Sequence, residues 1–511
     1  MSPVMHTPPS PAVFRIVDLF AGPGGLDVAA EVLGHRVTGI EWDDNACATR
    51  AAAGMDTFAG DVRKYRAAFF PRAEVLTGGP PCQTFTVAGH GAGRRALDEV
   101  VAYIERLHDA VRPEEREWKE IFRTWRTISE ELRHKAGLAH EVRSRKREAE
   151  GRRTVLRRIL RTDLARHGMS AKEIEAFLKK LGPDPVDLDV DDPDLEGTVE
   201  GFRALCAEIE ACKVDLEELG DERTGLVLQP LWWVIERSRR PGSEPYEAVV
   251  LEQVQAVMPV WEKYAEVLTT LGYRTRTQLM CTEAFGVPQT RKRAVLMARR
   301  GEIDIPEVAE THERYRPRAV SAGSVKPEQD DALWDGPHDV VGRTPKASWV
   351  SMETALKKAR SIAPDLPDRP AFTVVSNYGT GGDPSARGRR DHDAPSSTIT
   401  GKVSRNRLVH QGTDTALPRF DRFTEAEAGV LQTFPVAYPW RGGDRSQQIG
   451  NAVPPRLALH VLRQVLEPEL TGEAARARLE EAAADLEAWQ PGEPAEVRSH
   501  GQWEGHPLTD G

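Results

Sequence analysis

Three strand-to-helix turns follow one another near the start of this chain, and they constrain its fold more than any other feature. The apolar pair Ile16 and Val17 runs through Asp18-Leu19-Phe20-Ala21 into the turn Gly22-Pro23-Gly24-Gly25, and a helix opens near Leu26. Glycines let the backbone approach a ligand closely, and a helix N-terminus favours polar or anionic groups. A second run, residues 34–43, ends in Glu41-Trp42-Asp43. An acid at the end of the second strand of an α/β unit is placed to hold ribose hydroxyls. Gly60-Asp61-Val62 adds a third polar point, suited to an adenine amino group. The first turn lacks the full dinucleotide spacing. Two readings stay open at this point: a nucleoside site, or three ordinary turns with solvated acids.

A fourth run, residues 73–77, leads into Gly78-Gly79-Pro80-Pro81-Cys82-Gln83-Thr84-Phe85-Thr86. The pattern predicts a buried strand followed by a stiff loop that presents one thiol. Parallel α/β sheets build their sites at such carboxyl ends. A lone cysteine is otherwise a small buried hydrophobe, but the nucleotide-like turns upstream favour a chemical role.

With these turns, the later motifs resemble the S-adenosylmethionine-dependent DNA (cytosine-5)-methyltransferase family. The pieces that carry the resemblance are residues 18–27, 40–43, Gly60-Asp61, residues 79–86, Glu252-Gln253-Val254, Gln289-Thr290-Arg291-Lys292-Arg293, residues 422–435 and Gln448 to Pro455 (QIGNAVPP). The resemblance implies an α/β fold: a Rossmann-like methyltransferase domain with a mostly parallel sheet, a long helical insertion and a smaller irregular target-recognition domain. It implies methyl transfer from S-adenosylmethionine to C5 of a cytosine in a specific duplex DNA sequence, serving restriction-modification or defence. The chemistry suits the residue types. Cytosine C5 is a poor nucleophile until a thiolate adds at C6, and cysteine is the side chain for that step. A base within a duplex must first be flipped out of the stack.

By resemblance, Cys82 is the nucleophile and Glu252 the acid at cytosine N3. Arg291 and Arg293 share one face of a strand; Arg293 orients Glu252 and the loop, and Arg291 contacts the base O2 or nearby backbone. The cofactor residues are Phe20, Gly22, Gly24, Leu26, Glu41, Trp42, Asp61, Val62, Pro80, Asn451 and Val453. Gln83, Thr86, Arg387, Arg389 and Arg390 are expected to contact DNA. No metal is expected. Gln253 departs from the family's usual Asn, keeping the amide but adding a methylene.

The formal net charge of −10 is unusual for a DNA-binding chain, but local stripes govern phosphate contact. Residues 94–170 carry a surplus of Arg and Lys and residues 171–222 a surplus of Asp and Glu. Both lie in an insertion, residues 94–222, where the family has a short connection. Apolar residues from Trp118 to Leu132 recur at helical spacing, and Ser170 with Glu173 forms a capping-box signature. The spacing predicts two or three helices over residues 113–181, then an acidic loop and a helix near 195–219. The basic run 143–161 reads as a DNA phosphate contact, as a face paired with the acidic half, or as a docking surface for a partner protein such as a cognate nuclease.

The remaining boundaries are a disordered start at 1–12, catalytic parts at 13–93 and 223–299, a target-recognition domain at 300–420, a motif region at 421–470 and a C-terminal helix and tail at 471–511. The tail from Gln490 reads as disordered, and residues 376–390 read as a Gly- and Arg-rich loop that tracks a groove. Five cysteines without metal spacing point to a reducing compartment. No run approaches the roughly 18 apolar residues of a membrane span, and a cytoplasmic, nucleoid-associated location is expected. RNA methylation by the same chemistry and a non-catalytic DNA-binding or assembly subunit are the competing readings.

Overall fold

The computed structural model describes residues 12–81, 92–181, 192–219, 224–316, 345–376 and 388–499. The chain divides into two units, one of residues 1–81 and 229–511 and one of residues 82–228.

The first unit begins with β1 (Arg15–Leu19), α1 (Gly25–Val32), β2 (Arg36–Glu41), α2 (Asp44–Ala52), β3 (Asp56–Ala59) and β4 (Val75–Gly78). The second unit holds α3 (Ala92–Val111), α4 (Trp118–Arg166), α5 (Ala171–Lys180), α6 (Pro193–Leu219) and α7 (Thr224–Val227). The first unit then resumes with α8 (Gln229–Arg239), β5 (Ala248–Val254), α9 (Met258–Thr270), β6 (Tyr273–Cys281) and β7 (Lys292–Arg300). Next come α10 (Met352–Ile362), β8 (Phe372–Val375), β9 (Arg389–Asp391), β10 (Arg407–His410), α11 (Glu425–Leu431), α12 (Arg445–Asn451), α13 (Pro455–Leu466), α14 (Gly472–Ala488) and β11 (Val497–Ser499).

The large sheet has the order β11-β3-β2-β1-β4-β5-β7-β6. From β11 to β5 every neighbouring pair is parallel, whereas β7 runs antiparallel to both β5 and β6. Strands covered on both faces need continuous apolar runs, and β4 and the first six residues of β5 are buried throughout. Helices α1 and α13 complete the core with Leu26, Val28, Leu457 and Leu462. Parallel pairing brings the carboxyl ends of β1, β2, β4 and β5 to one edge, where the sequence places its Gly turn, Glu41, the loop toward Cys82, and Glu252. The reversed β7 starts at that same edge. Val254 pairs with Arg293 and Glu252 with Val295, which sets Arg293 diagonally across from Glu252 on one face.

A small antiparallel sheet, β10-β8-β9, lies within the stretch expected to read DNA. Arg389 and Arg390, expected on a loop, stand on its edge strand β9. Pairing with β8 organises them, a tertiary effect that a Gly-rich sequence does not announce. The tail is also corrected. Val497–Ser499 form β11 beside β3, and Arg498 pairs with Asp56 while its guanidinium carbon lies 3.9 Å from the Phe58 ring centroid. Residues 1–11, expected to be disordered, lie outside the described residues.

In the second unit, residues 113–181 hold two helices, within the expected two or three, and the first, Trp118–Arg166, runs for 49 residues. Gly137 and Gly151 are its only strong breakers, and a helical glycine costs only about 1 kcal/mol. Ser170 and Glu173 make the capping box of α5. Leu160 and Leu164 of α4, Ile174 and Leu178 of α5, and Val199 and Phe202 of α6 share one core. The basic run of α4 meets acids within the unit: Arg145 pairs with Asp215 at 2.7 Å, and Arg157 and Arg161 both reach Glu175. Among the described residues, no helix is long and apolar enough to cross a membrane.

Candidate active site

Glu252 and Gln253 leave the sheet side by side near the end of β5, both buried. Arg293 Nε lies 2.5 Å from Glu252 Oε1, with both side chains about nine-tenths covered. A Cβ built on Gly79 would stand 3.8 Å from Glu252 Oε2, so the carboxylate faces the backbone that leads toward Cys82. Gln253 donates its side-chain amide to the carbonyl of Pro80, and its oxygen accepts from the Val254 N–H. Cys82, Gln83, Thr86 and Arg387 lie outside the described residues.

Arg291 is buried and directed at the main chain. Its Nη1 donates to the carbonyls of Ile399 at 2.9 Å and Gly450 at 3.0 Å, and its Nη2 to Ala452 at 3.5 Å. Burial, reinforced by the Arg293 charge and opposed by Glu252, holds its pKa well below the usual guanidinium value. Arg291 and Arg293 therefore differ: one grips the segment that carries Asn451, the other grips Glu252.

Two further residues complete this scaffold. Gln289 Nε2 donates to Leu431 O at 3.1 Å and to Gln432 Oε1 at 2.6 Å, and its Oε1 accepts from Ile399 N. Gln432 in turn donates to Ile449 O at 2.7 Å. Both fall within the motif segments quoted from the sequence, Gln289 in 289–293 and Gln432 in 422–435, but neither is given a role there. Their amides satisfy distant carbonyls, which leaves no local pattern to read.

At the other end of the edge, Glu41 collects three main-chain donors. Oε2 accepts from Gly22 N at 2.7 Å, and Oε1 from Trp42 N at 2.9 Å and Asp43 N at 2.7 Å. Burial pushes its carboxyl up, and these N–H groups oppose the shift. The Trp42 side chain is 71% exposed. Phe20 is held at φ 60°, a left-handed backbone that costs a non-glycine residue about 1–3 kcal/mol and tends to occur at ligand sites. Gly22 and Gly24 share positive φ, while Leu26, Val62 and Pro80 are buried. Gly25 is needed for another reason: the Val453 carbonyl occupies the space of its missing Cβ. That contact brings the end of the QIGNAVPP motif onto the glycine turn; Asn451 is exposed just before it. Asp61 caps the short turn after β3 through Arg63 N at 2.9 Å and pairs with the Arg63 side chain. Burial alone would raise its carboxyl, but the Arg63 bonds outweigh that and hold it low.

The arginines expected on DNA also have partners. Arg389 pairs with Asp414 at 2.6 Å, and the Arg390 guanidinium carbon sits 4.6 Å from the Tyr315 ring centroid.

The family model for C-5 cytosine-specific DNA methylase matches residues 14–114 and 247–467. The type II methyltransferase M.HpaII of Haemophilus parainfluenzae is 38% identical over 102 residues, which cover 19% of this chain and 28% of that protein. M1.HphI of Haemophilus parahaemolyticus is 27% identical over 212 residues, 38% of this chain and 49% of that protein. The chain thus spans less than two thirds of the length of these relatives. The S. pombe Dnmt2 methyltransferase structure aligns with a TM-score of 0.41 at 12% identity, covering 90% of this chain and 100% of that one.

Proposed function

The chain belongs to the C-5 cytosine-specific DNA methylase family, and from that premise we propose that it methylates C5 of a flipped-out cytosine in a specific duplex DNA sequence. The carrying observation is the Glu252–Arg293 pair at the sheet's carboxyl edge, facing the backbone that leads to Cys82. In this reading the Cys82 thiolate adds to C6 while Glu252 supports the developing charge at N3. C5 then takes a methyl group, loses its proton to a base, and Cys82 leaves. Arg293 holds the Glu252 carboxylate in place, Gln253 holds the approach to the Cys82 loop, and Arg291 positions the segment before Asn451.

S-adenosylmethionine supplies the electrophilic methyl. The exposed Trp42 ring, the strained Phe20 and the N–H-rich turn around Glu41 fit an adenosyl group. Phe20, Gly22, Gly24, Leu26, Glu41, Trp42, Asp61, Val62, Pro80, Asn451 and Val453 would hold it. Gln83, Thr86, Arg387, Arg389 and Arg390 would face DNA. The named relatives are type II methyltransferases, which supports a place in restriction-modification.

The test is transfer of labelled methyl from S-adenosylmethionine to mixed genomic DNA, followed by bisulfite sequencing, with Cys82→Ala in parallel. We expect 5-methylcytosine at one fixed motif, abolished in Cys82→Ala. Methylation that survives the substitution, or appears only on RNA, would overturn the reading.

A further inference from the structure

The family match ends at residue 467, and α14, which follows it, lines a cavity of about 300 Å³ with Arg476 and Glu480. Thr311 and His312 line it from the stretch after β7, and Arg456 and His460 from α13. That volume reaches the lower end of ordinary small-molecule sites, roughly 300–1,000 Å³.

The lining carries unspent donors. Arg456 is half-buried, and its Nε donates to Phe285 O at 3.2 Å. Among the described residues its two terminal nitrogens have no partner, and no carboxylate lies within ion-pair distance. Burial holds its pKa below the usual value, only partly offset by Glu487. His460 is 5% exposed and its Nδ1 has no partner among the described residues. His312 Nδ1 is engaged by Thr311 Oγ1 at 2.9 Å. Gly286, at φ 78°, lets these groups converge: a Cβ there would stand 2.7 Å from both Arg456 Nε and His312 Cε1. Arg476 and Glu480 are exposed, and neither is ion-paired among the described residues. Burial, with Arg456 adding, lowers His312 to about 4 and His460 to about 3, the Phe285 backbone opposing the His460 shift, so both rings are neutral at pH 7.

A half-buried guanidinium without an ion-pair partner bears part of the cost of desolvation, and its planar fork matches the oxygens of a phosphate. Two arginines against one exposed acid leave the lining with surplus positive charge. We propose that this cavity binds a small phosphate-bearing anion, either inorganic phosphate or a compact phosphomonoester, through Arg456 and Arg476, with His312 and His460 as flanking polar groups. The site is built in part by a helix beyond the family match and does not depend on the methyl-transfer reading.

The full chain is titrated with inorganic phosphate and with ribose 5-phosphate, by calorimetry and thermal shift, against sodium chloride at matched ionic strength. Saturable binding of at least one probe is expected, weakened at least tenfold in Arg456→Gln and in Arg476→Gln and tightened in Glu480→Gln. Tighter binding of ribose 5-phosphate assigns a phosphomonoester; equal or weaker binding assigns free phosphate. Arg476 is exposed, so its variant reads the site even if Arg456→Gln does not fold. The proposal is overturned if neither probe exceeds chloride, or if binding persists unchanged in Arg476→Gln.

Discussion

The side-chain amide of Gln253 is bonded to the carbonyl of Pro80, two residues before Cys82. Its oxygen simultaneously accepts from the Val254 N–H, so one side chain ties the end of β5 to the approach of the Cys82 loop. Gln253→Leu keeps the volume and leaves the Pro80 carbonyl, buried in the same contact, unpaired. An orphaned buried acceptor costs about 1–3 kcal/mol. We expect stability to fall by that order and kcat by at least tenfold, while cofactor affinity falls less, since of the cofactor residues only Pro80 is bonded to Gln253. Equal losses of kcat and cofactor binding would assign Gln253 a general structural role.

Arg293 and Glu252 form the next link. Glu252→Gln keeps the shape and removes the charge that would support cytosine N3. General acid–base groups are worth typically 10²–10⁴-fold, so kcat should fall by about 10². Arg293→Lys supplies a point charge instead of a fork and should retain more activity than Arg293→Gln. Identical kinetics for the two Arg293 variants would show that charge is not what Arg293 contributes.

The contact between those two residues is legible through the family resemblance, and the antiparallel pairing of β5 with β7 supplies its geometry. The glycine turn, Glu41 and the cap at Ser170 are legible in the sequence itself, since each is a local pattern. Gln289 and Gln432 are not, because their partners are carbonyls far along the chain. Nor are β9 and β11, three residues each, whose existence depends on an already formed neighbour. Helix α4 runs unbroken through Gly137 and Gly151 because its packing against α5 and α6 outweighs the modest cost of a helical glycine.

Helix α4 allows a test of its basic run. Arg157 and Arg161 share Glu175, with all three side chains near half exposure. Exposed pairs contribute about 0–1 kcal/mol, but they do occupy the cations. Neutralised residues release no DNA counterions on binding. Changing both arginines to glutamine should leave the slope of log K against log salt for duplex binding within about one unit of the parent. A drop of two would place both side chains on phosphate.

Arg50 and Asp27 form an ion pair at 2.6 Å with both side chains almost fully buried. Asp18 lies close enough to both to feel them: burial first, then the Asp27 charge, pushes its carboxyl well up, against Thr77 and Arg50. Arg50→Met would leave two carboxyl groups with no cation. Breaking a buried pair costs about 3–5 kcal/mol, and denaturant unfolding should show a loss of that order. Asp27→Leu combined with Arg50→Met removes both charges and should recover most of it. A double variant as unstable as the sum of the singles would mean the pair is not the relevant interaction.

Glu31 sits on α1 with its Oε2 3.4 Å from Trp489 Nε1. Burial, then the Asp27 charge, raises its carboxyl from 4.5 to about 7, with Trp489 and Arg50 opposing. The raised value means that the folded protein holds this proton more tightly than the unfolded chain does. Between pH 4.5 and about 7 the native state therefore binds more protons, and stability contributed here falls as pH rises through that window. Above pH 7 the folded state carries the full penalty of an ionised, half-buried carboxylate. Glu31→Gln is neutral at every pH and can still accept from Trp489. Its melting temperature should match the parent near pH 5 and exceed it near pH 8 by a few degrees. A difference that stays constant from pH 5 to pH 8 would show that Glu31 is ionised throughout and that its environment is far more polar than its burial implies.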